Sequence, residues 1–144
     1  RSKVCAVYFD NEEKGLLGSG FFADRHSKIK KEKILINFDC VGDGTHLVTM
    51  AKRKARKEPH YQRFIDILQQ HSATKELQYH PRKMLPMMFP SDQIYFRKGI
   101  GVCALKRSPL GLYCARIHTP FDTHCREENI QFLSEALADY ITKL

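Results

Sequence analysis

The sequence contains no long hydrophobic run, no leader region and no low-complexity linker. Its longest uninterrupted apolar stretches are about half a dozen residues, whereas a bilayer-spanning helix needs roughly 20. The first residues, RSKVCAVYFDNEE, include no separate hydrophobic leader. We therefore expect neither a membrane span nor a signal peptide, and no membrane partner. Because internal repeats and linkers are also missing, the sequence predicts a single domain over residues 1–144.

The sequence also lacks an even set of cysteines. Its five cysteines leave at least one thiol unpaired in any disulfide scheme. Four of them lie in or beside apolar, strand-like runs: Cys5, Cys40, Cys103 and Cys114. Buried free thiols fit this placement better than a disulfide framework does. The cysteines thus favour a reducing compartment, and we predict a cytoplasmic location.

What the chain does contain is enough apolar material for one core, and an excess of positive charge. Hydrophobic residues make up 42% of its 144 residues, and its formal net charge is +8. Five of the six residues of KRKARK, from Lys52 to Lys57, are basic. Such a run can bind nucleic acid or an anionic surface, but no aromatic platform or nucleic-acid motif accompanies it. We therefore predict a solvated surface and no nucleic-acid partner, with a nucleic-acid-binding module as the most distant alternative.

Apolar patterning predicts an α/β fold in which strands and helices alternate. Several predicted strands are apolar throughout, as strands buried on both faces of a sheet are. The predicted strands are Val4–Phe9, Ile34–Val41, Leu47–Ala51, Val102–Leu105 and Leu112–Ile117. The predicted helices are Leu16–His26, Pro59–Ala73 and an amphipathic tail with its apolar stripe at Ile130, Leu133, Leu137, Ile141 and Leu144. The three prolines of HPRKMLPMMFPSD predict an irregular loop, with Met84, Met87, Met88 and Phe89 as an apolar lining.

Side chains that suit a metal ion follow three of the predicted strands. Glu12 and Glu13 come after VCAVYF, Asp39 ends ILINFD, and His118 follows LYCARI. Ligands of open α/β sheets bind beyond the carboxyl ends of the strands, so these side chains are expected at one edge. Carboxylate and imidazole donors suit zinc, and also manganese or cobalt. Each residue alone has a simpler explanation as a turn residue, a surface histidine or an acid at a helix start. Their shared edge is what favours a metal site.

Four motifs occur in order along the chain: FDNEEKGLLGS, INFDCVGDG, SDQIYFRKGI and IHTPFDT. Followed by the final amphipathic helix, this set resembles the zinc aminopeptidases of the M28 metallopeptidase family over nearly the whole chain. The resemblance implies a zinc-peptidase-like α/β fold with a mixed, largely parallel central sheet flanked by helices. It implies that Glu12 is the general base, that Glu13 and His118 share one zinc ion, and that Asp39 binds the other. The implied reaction is peptide-bond hydrolysis by a metal-activated water whose proton Glu12 takes.

The same resemblance implies two further metal ligands upstream of the glutamate pair, a histidine and an aspartate that bridges two zinc ions. The sequence begins three residues before the first predicted strand and has no room for them. We therefore expect residues 1–144 to be the C-terminal part of a catalytic domain, inactive alone, with peptide as substrate. Its expected partner is the missing N-terminal half or another copy of the chain. The alternatives are a carboxypeptidase, a glutaminyl cyclase, or a degenerate, non-catalytic relative that binds protein.

Overall fold

The structure, a computed structural model, describes residues 4–72, 77–83 and 89–144. Its helices are α1 (Leu17–Arg25), α2 (Ser27–Glu32), α3 (Pro59–Ser72) and α4 (Glu127–Thr142). Its strands are β1 (Ile34–Phe38), β2 (His46–Ala51), β3 (Gln78–Lys83), β4 (Lys98–Ser108) and β5 (Gly111–Tyr113). Single 3-10 turns occur at Glu12–Lys14, Ala55–Lys57 and Asp92–Tyr95. This alternation confirms the predicted α/β class.

The five strands form one mixed sheet around β4. Their order is β1-β4-β2-β3, and β5 pairs with the far end of β4. The β1–β4 and β2–β3 pairs are parallel, whereas β2 and β5 run antiparallel to β4. In the β1–β4 pair, Ile34 lies opposite Lys98 and Phe38 opposite Val102. Strands β1 and β2 therefore run in opposite directions along β4, and their last residues, Phe38 and Ala51, lie opposite Val102 and Ile100.

The main hydrophobic core lies between one face of the sheet and helices α3 and α4. Sheet residues that point into it include Leu47, Ile100 and Val102. The helices contribute a larger set of buried side chains, which includes Tyr61, Phe64, Leu68, Phe132, Leu133, Ala136 and Tyr140. The opposite face carries a smaller cluster of Val48, Met50, Cys103 and Leu105, against which Phe89 packs. Burying this apolar surface is the main force that holds the sheet on its helices.

The local pattern located most elements, and several boundaries differ from the prediction. The predictions of β2, β4, α1 and α3 are confirmed, apart from residue 73, which lies outside the described ranges. Strand β1 ends at Phe38 and not at Val41, and Cys40 has a left-handed backbone φ of 52 that interrupts the extended conformation. Strand β5 ends at Tyr113, so residues 114–117 are not a strand as predicted. Strand β3 covers part of the predicted loop, and Met84, Met87 and Met88 lie outside the described residues.

The prediction of a strand at Val4–Phe9 is wrong. The segment is irregular, and no strand in the described ranges pairs with it. Tyr8 is 96% exposed, and Val4 and Val7 are also exposed. Alternating apolar residues favour a strand only where a neighbouring strand satisfies the backbone N–H and C=O groups. Here the described part of the sheet supplies no such neighbour.

Helix α4 buries only part of its predicted apolar stripe. Leu133 is buried, and Leu137 and Leu144 pack against the core, whereas Ile130 and Ile141 are exposed. Phe132 and Ala136, outside the predicted stripe, are also buried. Asn129 is also buried, because its side-chain amide donates hydrogen bonds to the carbonyl oxygens of Val41 and Gly44. These two hydrogen bonds attach the start of the helix to the loop after β1. Among the described helices, none has the length and apolarity that a membrane span requires.

Candidate functional site

The two predicted catalytic glutamates lie on a tight backbone turn that precedes α1. Glu12–Lys14 forms one turn of 3-10 helix. Three residues around it have left-handed backbone angles: Asn11 (φ 52), Gly15 (φ 90) and Leu16 (φ 61). Glycine tolerates this region without steric cost, and asparagine is one of the few other residues that visits it readily. The turn reverses the chain just ahead of α1. Both glutamates project from it near the N-terminal end of that helix.

Close backbone packing and aromatic contacts hold this turn in place. The Gly18 N–H donates a hydrogen bond to the Asp10 carbonyl oxygen over 3.2 Å. A Cβ at position 18 would lie 2.4 Å from that same oxygen, so only glycine fits. Ahead of the turn, the Phe9 ring packs edge-on against Phe22 of α1 and beside Phe96, with centroids 5.5 and 6.1 Å away. The irregular N-terminal segment is thus attached to the fold at Phe9.

Glu13 and His118 are in direct contact although 105 positions separate them in the sequence. The Glu13 Oε1 atom lies 2.7 Å from the His118 Nε2 atom. Both side chains are well exposed, at 68% and 64%. His118 lies in a tight loop with φ 60, after β5 has ended, and not at a strand end as predicted. The loop, and not a strand, therefore delivers the imidazole to the carboxylate.

Glu12 lies in the middle of a group of acidic side chains. The pKa of its carboxyl is raised, first by burial and then by the negative charges of Asp39, Glu13 and Asp92, while His118 acts in the opposite direction. Like charges that share a site disfavour ionisation of each member. We call Glu12, Glu13, Asp39 and Asp92 the carboxylate cluster. Asp39, Glu13 and Asp92 are therefore near enough to Glu12 for their charges to act on it.

Asp39 and Asp92 join this cluster from separate elements. Asp39 directly follows β1, as predicted, and its N–H extends the ladder by donating to the Val102 carbonyl oxygen over 3.0 Å. Asp92 begins the 3-10 turn before β4 and is 8% exposed. Its Oδ1 atom is buried and has no hydrogen-bond partner among the described residues. A buried carboxylate oxygen without a partner is costly, so a cation is the expected complement.

The donor chemistry of the cluster fits zinc, which accepts carboxylate oxygen and imidazole nitrogen. The buried, unpartnered Asp92 oxygen and the raised pKa of Glu12 both favour a positive charge close to these carboxylates. In the described part of the chain, however, no three metal-type donors lie close enough together to hold an ion. The residues present therefore supply part of a metal site, and further donors are needed to complete it.

The structure places Glu13 against His118, and the charges of Asp39 and His118 act on Glu12, but the elements that carry these residues differ from those expected. Only Asp39 follows a strand, whereas Glu12, Glu13 and His118 are delivered by loops. Sequence reasoning missed Asp92, although it lies in the SDQIYF motif. The sequence did contain a signal for Asp92: it is an acidic residue just ahead of a strand, within a motif that resembles the family. The roles of base and ligand for these residues stay predictions.

The nearby thiols remain protonated in this arrangement. Burial, the adjacent Asp39 and the Cys114 thiol raise the pKa of Cys40. Burial raises the pKa of Cys103 to about 12. Cys5, expected to be buried, is exposed, and all five cysteines are free thiols. Because the thiolate is the form that binds metal, the buried cysteines are poor ligands beside these carboxylates.

Comparison with known proteins supports the interpretation of the motifs. A family model described as Peptidase family M28 matches residues 1–141, nearly the whole chain. No curated protein matches the chain.

Proposed function

This chain belongs to peptidase family M28, a family of metallopeptidases, and we propose that it supplies the general base and part of the metal site of a zinc aminopeptidase. In this proposal Glu13 and His118 bind one zinc ion and Asp39 binds a second. The remaining ligands, a histidine and a bridging aspartate, come from residues outside this sequence or from a second copy of the chain. The observation that carries the proposal is the 2.7 Å contact between Glu13 and His118 beside the carboxylate cluster.

Glu12 is proposed as the base because its surroundings differ from those of Glu13. Both are glutamates on one turn, yet Glu12 is half-buried and Glu13 is exposed. A raised pKa brings a carboxylate closer to the operating pH, where it both accepts and returns a proton efficiently. The chemistry that zinc supplies when bound is polarisation of the scissile carbonyl and activation of water. Glu12 takes the proton from the attacking water and gives it to the departing amine.

An acidic site supports cleavage at the amino end of a peptide. A free amino terminus is positively charged near neutral pH, and the carboxylate cluster offers it several acceptors. A carboxypeptidase site needs a cation for the terminal carboxylate of its substrate. The basic side chains that line a groove in this chain lie at the opposite end of the sheet. The charge around Glu12 therefore favours amino-terminal substrates.

The two glutamates can be separated by isosteric substitution in the intact protein. Glu12→Gln removes the base but no ligand, so we expect bound zinc to persist while turnover falls by about 10²–10⁴. Glu13→Gln weakens a ligand, so zinc content falls first, and excess zinc partly restores activity. His118→Ala behaves like Glu13→Gln. Zinc content by atomic spectroscopy and turnover of amino-terminal substrates are the measurements.

The exposed Glu32 of α2 provides a matched control, since Glu32→Gln makes the same chemical change away from the cluster. It is expected to change neither zinc content nor turnover. Loss of zinc from Glu12→Gln with normal zinc and activity in Glu13→Gln would show that the two roles are reversed. Normal activity in both variants would refute the aminopeptidase proposal.

A further inference from the structure

A groove lined with basic side chains lies at the opposite end of the sheet from Asp39. Five of its lining residues are basic, and we call them the basic groove: Lys52, Arg53, Lys54, Arg56 and Arg97. Ala51 and Ile94 complete its lining, and its volume is about 640 Å³. That volume lies within the range of small-molecule sites. None of the described lining residues is acidic.

The register of the sheet separates this groove from the carboxylate cluster. Strand β2 runs antiparallel to β4, and the Lys52 N–H donates to the Gly99 carbonyl oxygen at the start of β4. Asp39 reaches β4 at Val102 and continues past it. With about 3.3 Å per strand residue, the two levels of β4 are roughly 10 Å apart. Ile94 lies in the same 3-10 turn as Asp92, but no member of the carboxylate cluster lines the groove, so the basic groove is a neighbouring and distinct site.

Two of the five cations are held in place and partly buried. The Lys52 ammonium donates a hydrogen bond to the Ile94 carbonyl oxygen. Burial, followed by the charge of Lys30, lowers the pKa of Lys52. The backbone N–H of Arg56 donates a hydrogen bond to the Lys52 carbonyl oxygen over 3.1 Å, which fixes the turn at Ala55–Lys57. The predicted solvated surface is thus only partly solvated, with Lys52 and Arg56 half-buried.

The Arg56 guanidinium has a donor that the described residues do not satisfy. Its Nε atom is buried and has no hydrogen-bond partner among them. The nearby Glu58 carboxylate is already paired with Lys98, over 2.9 Å. A buried donor without an acceptor is costly, and Arg56 also lines the groove. The guanidinium binds oxyanions through two parallel hydrogen bonds.

We propose that the basic groove binds a compact oxyanion with several negative charges, of the polyphosphate class. Five cations with no acid among them match an anion of high charge and small size better than a single carboxylate. Nucleic acid is disfavoured because the described lining offers no aromatic side chain on which a base could stack. This inference does not depend on peptidase activity.

The proposal is tested by titrating the intact protein with inorganic tripolyphosphate in a calorimeter at low salt. Wild-type protein should bind in a one-to-one ratio, and Arg56→Gln should weaken binding by about tenfold or more, the usual effect of losing a hydrogen bond to a charged group. Arg97→Gln, at an exposed position where folding is not at risk, should also weaken it. Arg107→Gln removes the same charge from an exposed residue outside the groove and should leave affinity unchanged.

Thermal melts show whether each variant is folded before its affinity is compared. No binding to wild-type protein, or an equal loss in Arg107→Gln, refutes the proposal because the attraction would then be absent or due to net charge alone. A single-stranded RNA that binds more tightly than tripolyphosphate, with affinity rising with its length, also refutes it in favour of a nucleic-acid surface. Loss of affinity in both Arg56→Gln and Arg97→Gln, but not in Arg107→Gln, supports it.

Discussion

The two ends of the central sheet carry side chains of opposite charge, and the pKa of one key side chain is shifted at each end. At one end burial and the neighbouring carboxylates raise the pKa of Glu12, and at the other burial and Lys30 lower the pKa of Lys52. In both cases the folded chain disfavours the charged form of a key side chain. Each end also has a buried polar atom without a partner, on Asp92 and on Arg56. Each site is therefore complementary to a ligand of opposite charge.

This comparison shows why net charge is a poor guide to function. The chain carries a formal charge of +8, which describes neither the acidic site nor the basic groove. The strand β4 separates the two, because β1 and β2 run in opposite directions along it. A basic protein can therefore present an acidic catalytic site, and a change at one end should leave the other intact. The predictions below test that independence.

Outside the proposed catalytic and ligand residues, the largest expected effect comes from Gly18→Ala, which should damage only the acidic end. The added Cβ collides with backbone atoms of Asp10, so the turn that carries Glu12 and Glu13 must shift. A displacement of about 1 Å at a catalytic group costs about 10² in turnover, measured on amino-terminal substrates. Binding of tripolyphosphate at the basic groove should not change.

Gly20→Ala is the matched control on the same helix. Its Cβ would meet only the Tyr95 side chain, at 3.2 Å, and a ring can adjust where a backbone carbonyl cannot. We expect near-normal turnover for this variant. Equal loss in both variants would mean that α1 responds to any added side chain, and would remove the special role of position 18.

A smaller effect is expected from Asp92→Asn, which tests whether the charge of Asp92 acts on Glu12. The Asp92 charge raises the pKa of Glu12, so removing it lowers that pKa. Because the base must be ionised to act, the acid limb of the pH–rate profile should move to lower pH. The pH dependence of kcat/KM measures the shift. Glu32→Gln removes a distant charge and should leave the limb in place, and a shift to higher pH in Asp92→Asn would contradict the described cluster.

The smallest effect concerns stability at the basic end. Since the folded-state pKa of Lys52 is below its ordinary value of 10.5, the unfolded chain binds the proton more tightly. Stability contributed by this residue therefore rises as pH increases from the folded-state pKa towards 10.5. Lys52→Gln should remove that rise. The effect is small because the side chain is only half-buried and solvent screens it.

The measurement for Lys52 is the difference between the wild-type and variant free energies of unfolding across alkaline pH. A difference is needed because burial raises the pKa of Tyr61, Tyr79 and Tyr140, which lowers stability over the same range. Lys54→Gln, an exposed neighbour, provides the comparison and should show no such pH dependence. If the wild-type free energy of unfolding minus that of Lys52→Gln grew with decreasing pH, Lys52 would instead be stabilised in its charged form.

Residues whose burial follows from local periodicity were the most predictable part of the fold. Helix α3 and strand β2 agree closely with their predicted bounds, because their apolar residues recur at the spacing of the element itself. The Val4–Phe9 segment has an equally apolar pattern and is not a strand. Helix α4 was predicted, and its buried face only in part: Leu133 is buried as expected, whereas the burial of Asn129 depends on hydrogen bonds to a distant loop.

The sequence by itself determined the α/β class, most helix and strand positions and the family motifs that name Glu12, Glu13, Asp39 and His118. These features depend on residue type and short spacing, which the chain carries locally. Only the tertiary structure decided that Glu13 contacts His118, that Asp92 joins the carboxylate cluster, and that a basic run folds into a groove at the far sheet end. Such contacts join residues that are distant along the chain. Strand order and loop paths set these contacts, and no local sequence pattern encodes strand order or loop paths.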